Sequence, residues 1–200
     1  MNPMSKSLRA ARSNRPSHQP LHPASHQPLH PATRVGGCHT VAVDSRVRAA
    51  ELFQEAYDAQ MRGDLRAAVR LYERSLAAHP TAEAHTFLGW TYSFLGDLDE
   101  AIACCKRAIE VDPSFGNPYN DIGAYLIERG ELDAAIPWLR KAKEATRYEA
   151  PQFPRFNLGR LYLAREMLGA ALREFEEALE VQPGYEPAVR AVAAIKRRLN

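Results

Sequence analysis

Residues 17–32 read SHQPLHPA twice without a change, so His18, His22, His26 and His30 follow one another at four-residue spacing. On a helix that spacing stacks side chains on one face. Imidazoles so arranged would hold Zn2+, Ni2+ or Cu2+. Pro20, Pro23, Pro28 and Pro31 forbid the arrangement. Each lacks the amide donor and clashes with the preceding turn, so the segment is expected to be extended and disordered, with polyproline II character. A loose histidine tract chelates metal weakly, and no built metal site is expected. A metal-responsive role for this arm stands as an alternative function only. An identical tandem copy without a structural use reads as a recent duplication.

The other reactive residues form no constellation. Cys38, Cys104 and Cys105 contain no C-x-x-C pair, and vicinal cysteines rarely make a structural disulfide, so a reducing, cytoplasmic setting is expected. Val35-Gly36-Gly37-Cys38 looks like a lipoprotein cleavage box but lacks the apolar run that such a signal needs upstream. His79 and His85 flank a turn, and two ligands do not make a stable zinc site. There is no H-E-x-x-H, no phosphate loop and no acid/base pair with a structural reason to be paired. No catalytic residue and no cofactor are expected, and the chain is read as a non-enzyme.

Charge narrows the partners. Residues 1–43 hold Lys6, Arg9, Arg12, Arg15 and Arg34 and no acid, whereas 21 of the 26 basic residues and all 24 acidic ones lie in 44–200. A basic arm therefore precedes a mildly acidic body, which has no electrostatic case for nucleic acid. No apolar run approaches a membrane span. The partners expected are other proteins.

The elements that carry the body are visible as a repeat. AEAHTFLGWTYSFLGDLDEAIACCKRAIEVDPSF, from Ala82, aligns with units that begin near Ala49, Gly116 and Gln152. A small residue recurs midway along the first helix: Ala56, Gly89, Gly123 and Gly159. Gly63, Gly96 and Gly130 end that helix, where a left-handed residue closes the carbonyls. Asp64, Asp97 and Glu131 follow and favour the positive start of the second helix. Ala68, Ala101, Ala135 and Ala171 form a close contact in that helix, and Tyr72, Cys105, Leu139 and Phe175 fill the next layer. Cys105 in that column is expected to be buried and inert. Pro80, Pro113 and Pro183 end their units. Unit three departs, with Arg147 in place of the terminal proline and extra residues before Gln152; unit four has Glu166 in place of the turn glycine.

A period of this length and pattern resembles the tetratricopeptide repeat. The resemblance implies an all-α fold, an α-solenoid of four helix-turn-helix units in a right-handed superhelix. The units are expected at 49–81, 82–115, 116–151 and 152–185 in a body starting at 44, with 1–43 as a tail. Residues 186–200 are read as a capping helix, with Val189, Val192, Ile195 and Leu199 as its apolar stripe.

In such proteins the first helices line a concave groove that takes peptide segments of partners. Carried over residue by residue, the groove set is Phe53, Tyr57, Glu83, Thr86, Trp90, Phe94, Asn117, Asn120, Glu128, Phe156 and Arg160. Aromatic side chains on a concave wall are typical anchors. Whether Trp90 and Phe94 are exposed is open at this point, because neighbouring repeats can cover either. The clamp by which some members hold a carboxylate tail needs lysines, and these helices have none. The ligand implied is an extended apolar or aromatic segment, with a basic residue facing Glu83 or Glu128. A structural subunit that self-associates, as a homo-oligomer, is the other alternative.

Overall fold

Among residues 40–199, which the computed structural model describes, the elements are nine helices and no strand. They are α1 Thr40–Met61, α2 Leu65–Ala78, α3 Ala82–Leu95, α4 Leu98–Val111, α5 Gly116–Glu128, α6 Leu132–Glu144, α7 Gln152–Ala164, α8 Leu168–Val181 and α9 Glu186–Leu199. The histidine octapeptides and Cys38 lie outside the described residues. Residues 40–43, assigned above to the tail, already belong to α1. No glycine or proline stands between Gly37 and Met61, so nothing stops the helix from extending ahead of the first repeat.

Helices pair as α1/α2, α3/α4, α5/α6 and α7/α8, and each pair packs on the next, giving an α-solenoid closed by α9. The first helices α3, α5 and α7 approach one another in sequence, whereas successive second helices make no comparable approach. The first helices therefore form the inner wall of the stack.

The small column explains how close each pair comes. A methyl group on Gly123 would sit 2.4 Å from Leu139 Cδ2, and one on Gly159 would sit 2.5 Å from Phe175 Cε1. At Gly89 the facing side chain is the smaller Cys105, whose Sγ would be 3.4 Å away. Columns 16 residues apart, on the two helices of a unit, are thus knob and hole of one contact. Cys104 and Cys105 are fully buried, and burial pushes the Cys104 thiol up to about 11. A thiol held protonated in this way is a poor nucleophile.

Turns repeat as faithfully as the core. The amide of Gly96 bonds the Ser93 carbonyl and that of Asp97 the Tyr92 carbonyl, and the same two bonds recur after α1, α5 and α7. Gly63, Gly96 and Gly130 have φ of 82°, 85° and 79°, and Glu166 adopts the same left-handed form at 58° without being glycine. Asp64 and Asp97 accept the amides of Ala67 and Glu100, capping α2 and α4. Glu131 makes no cap bond and pairs with Arg129 instead. Between units, Asp99 pairs with Arg129 and Asp133 with Arg165, so the starts of α4 and α6 are tied to the ends of α5 and α7.

The cap α9 buries Ala188 and Ile195 against α8, with Val192 partly covered. Val189 and Leu199, expected in the apolar stripe, are exposed. The buried face follows 188, 191, 192 and 195, a spacing of three and four that leaves those two residues off the contact.

Candidate functional site

The inner wall is built differently from its expectation. Of the aromatic residues placed there, Trp90 is 7% exposed and Phe94 39%. Trp90 packs on Phe87 with ring centres 4.4 Å apart. Phe53 and Tyr57 are half-buried and meet the edge of Phe87 at 5.1 and 5.8 Å. Phe156 rests on Phe175 and Tyr185. Thr86 has no exposed surface, and its hydroxyl donates to the Ala82 carbonyl one turn back. Thr86 and Trp90 are therefore part of the packing between helices, not projecting anchors. For Trp90 the physical reason is that α5 lies against it, with Asp121 accepting the indole N–H, which no single unit reveals. Phe94 alone of the aromatic set projects freely, at the end of α3.

Glu83 is also spoken for. Arg147, in the loop between α6 and α7, reaches back to it at 2.7 Å and holds Asp112 at 2.8 Å. The same guanidinium lies 4.0 Å over the Phe115 ring. Backbone bonds of Arg147 to Ser114 and Gly116 fasten the loop to the start of α5, and Tyr148 seats against Gly116 where any Cβ would clash at 2.5 Å. The departure of unit three from its pattern thus places a tethered loop beside the first helices. The basic residue facing Glu83 comes from this chain. Glu128 remains exposed at the far end of α5, and Asn117 is half-buried near its start.

What runs along the inner wall is a row of polar groups. Arg160 donates to Asn157 Oδ1 at 3.2 Å. Asn157 Nδ2 donates to Asn120 Oδ1 at 2.9 Å. Asn120 Nδ2 donates to Asp121 Oδ1 at 3.3 Å, and Trp90 Nε1 donates to Asp121 Oδ2 at 2.5 Å. The row joins α7, α5 and α3. Its direction is set by its ends, because guanidinium only donates and carboxylate only accepts. Asn120 and Asn157 are each 8% exposed, so they form the floor of the wall and are not its rim.

Asp121 is the residue that the sequence reading missed. It stands one turn before Ala124, the position matched to Trp90, and the stagger of the packed helices brings it under the indole. The residue as a whole is half-buried, while its carboxyl is strongly desolvated. Burial pushes its carboxyl up to about 7, and the bonds from Trp90 and Asn120 only partly oppose this. Both donors are neutral. The signal was a lone acid inside a first helix, next to Asn120, with no basic residue one turn away. At the other end Tyr185 has a buried hydroxyl without a hydrogen-bond partner, and burial pushes it up to about 12.

This arrangement offers hydrogen-bond donors and acceptors in line, one projecting ring and one crowded acid. Among the described residues there is no group of three His, Cys, Asp or Glu placed to hold a metal, and no helix is long and apolar enough to cross a membrane.

The comparisons with known proteins agree with the geometry. Residues 82–115 match the family model described as tetratricopeptide repeat. Small glutamine-rich tetratricopeptide repeat-containing protein 2 of Mycosarcoma maydis is 28% identical over 98 residues, which cover 48% of this chain and 28% of that protein. The chain spans between 11% and 28% of the length of the curated relatives it matches. Among solved structures, that of Pseudomonas aeruginosa pilF matches with a TM-score of 0.73 at 20% identity, over 78% of this chain and 71% of that one. The first TPR of Spaghetti (RPAP3), bound to the HSP90 peptide SRMEEVD, matches with a TM-score of 0.55 at 20% identity, over 60% of this chain and 95% of that one. At such identities the structural likeness is one of fold. The family match in α3 and α4, the same helix pair repeated on either side, and the likeness to solved structures of this fold together support a tetratricopeptide-repeat protein.

Proposed function

We propose that this protein is a non-enzymatic adaptor or scaffold that holds an extended segment of a partner protein along α3, α5 and α7. The observation that carries the reading is the row Asn120–Asn157–Arg160, whose amides and guanidinium lie in line on the inner wall. An extended peptide presents alternating donors and acceptors to such a row. Amide side chains keep unused lone pairs and protons after their mutual bond, so they can also serve a ligand backbone. Phe94, one turn beyond Trp90 on α3, supplies an exposed apolar contact. A neighbour of the same fold carries a peptide, which supports the mode of action but not the ligand. The missing lysines argue against a carboxylate tail as the ligand.

The test is selection of a phage-displayed library of random peptides against the full chain, followed by affinity measurement on synthetic copies. A reproducible peptide is expected to bind once per chain. The double variant Asn157→Ala, Phe94→Ala should weaken it roughly tenfold or more at unchanged helicity. No reproducible peptide, or peptides indifferent to this variant, would refute groove binding. Solution mass across concentration, measured on the same samples, tests the self-associating alternative.

A further inference from the structure

We propose that Asp121 is the seat for a cationic side chain, lysine or arginine, of the peptide that lies along the first helices. The inference rests on the groove reading above and specifies the chemistry of its ligand. It also moves the expected acidic contact from Glu83 and Glu128 to a residue between them.

The acids along the first helices differ in what surrounds them. Glu83 already has Arg147. Glu128 lies at the exposed end of α5, where water screens a charge. Asp121 is the acid on the floor, and the groups bonded to it are an indole and a carboxamide. Neither brings a positive charge. The guanidinium of Arg160 lies beyond two asparagines in the same row.

A carboxylate has about four lone-pair sites, and Asp121 uses one on each oxygen. Two sites remain. Asp121 is half-buried, and its bonds from Trp90 and Asn120 are only partly covered, so the site is not sealed inside the core. Its poise supports the same conclusion, since burial has raised it to about 7 and a cation at contact distance would restore the charged form. The titratable groups coupled to it are Cys105, Tyr125 and Tyr148, each raised by burial and neutral, so none of them can supply that cation. The orientation is also fixed in advance. Trp90 and Asn120 hold the carboxylate from two sides, which removes the side-chain ordering that a free surface acid would have to undergo on binding.

The experiment extends the selection on the full chain. Peptides enriched by the wild-type protein are expected to share a lysine or arginine at one position. Replacing that residue by norleucine in the synthetic peptide should weaken binding roughly tenfold or more. This arm needs no protein variant and so does not depend on folding. Asp121→Asn should produce the same loss for the basic peptide and no loss for the norleucine peptide. Enriched peptides without a basic position would overturn the seat and leave groove binding intact. So would a basic peptide whose affinity is indifferent to Asp121→Asn. Failure to enrich any peptide would overturn both readings, so the two failures are told apart by the first step.

Discussion

Asp121→Asn should stabilise the protein at neutral pH and not at acid pH. The carboxyl is raised from 3.8 to about 7 in the folded state. At 1.36 kcal/mol per tenfold change in proton affinity, that rise corresponds to roughly 4 kcal/mol of difference between its two protonation states. The sign follows from proton binding. Between those two values the folded protein holds a proton that the unfolded chain has released, so stability falls as pH rises through this window. Above it the charged carboxylate costs the fold the full amount. Cys105, Tyr125 and Tyr148, which feel its charge, are all held neutral by burial there, so none of them titrates in the same window. Asparagine keeps an acceptor for Trp90 but presents an amide to Asn120, whose own direction is fixed through Asn157 by Arg160. That mismatch costs about 1 kcal/mol. The net expectation is a gain of roughly 3 kcal/mol at about pH 8 and a loss of about 1 kcal/mol at about pH 4. Urea unfolding followed by far-ultraviolet circular dichroism across that range measures it. Two parallel stability curves, with a difference independent of pH, would refute the placement of an unpaired carboxyl on the floor of the wall.

The remaining expectations concern the frame. Gly123→Ala should cost about 1–3 kcal/mol, because its Cβ would meet Leu139 at 2.4 Å, and the addition of Leu139→Ala should recover part of that loss in a double-mutant cycle by thermal unfolding. Glu166→Gly should stabilise by about 0.5–1 kcal/mol, since φ is 58° at that turn, and a loss in chemical melts would contradict the left-handed assignment. Arg147→Ala should cost roughly 1–2 kcal/mol, less in high salt, and should speed amide exchange at Gly116, which bonds the Arg147 carbonyl.

The frame was legible because packing constrains it locally. Gly123 and Leu139 must match each other wherever the unit is used, and Gly96 must turn left whatever follows it. Such demands write themselves into columns. The wall was less legible because its properties arise between units. Trp90 looks like an anchor within α3 and becomes floor only when α5 lies against it. Asp121 looks like an ordinary helix acid until the stagger of α5 brings it under the indole. Arg147 was visible as a departure from the pattern, but its partners Glu83 and Asp112 are 64 and 35 residues away in the chain. The start of α1 was missed for another reason. Helix boundaries need a stop signal, and the stretch ahead of Ala49 contains none.

The row from Arg160 to Asp121 also behaves as a small ordered set of dipoles. Each asparagine has two orientations, and an isolated pair would sample both alignments. Here a source at one end and a sink at the other select a single alignment. Dipoles in such a line polarise one another, strengthening each bond by about 10–30%. Whatever alters the charge of the sink therefore alters the pull on every member, up to the guanidinium on the next repeat. An occupant at α5 is felt at α7 through bond strength alone, with no helix having to move.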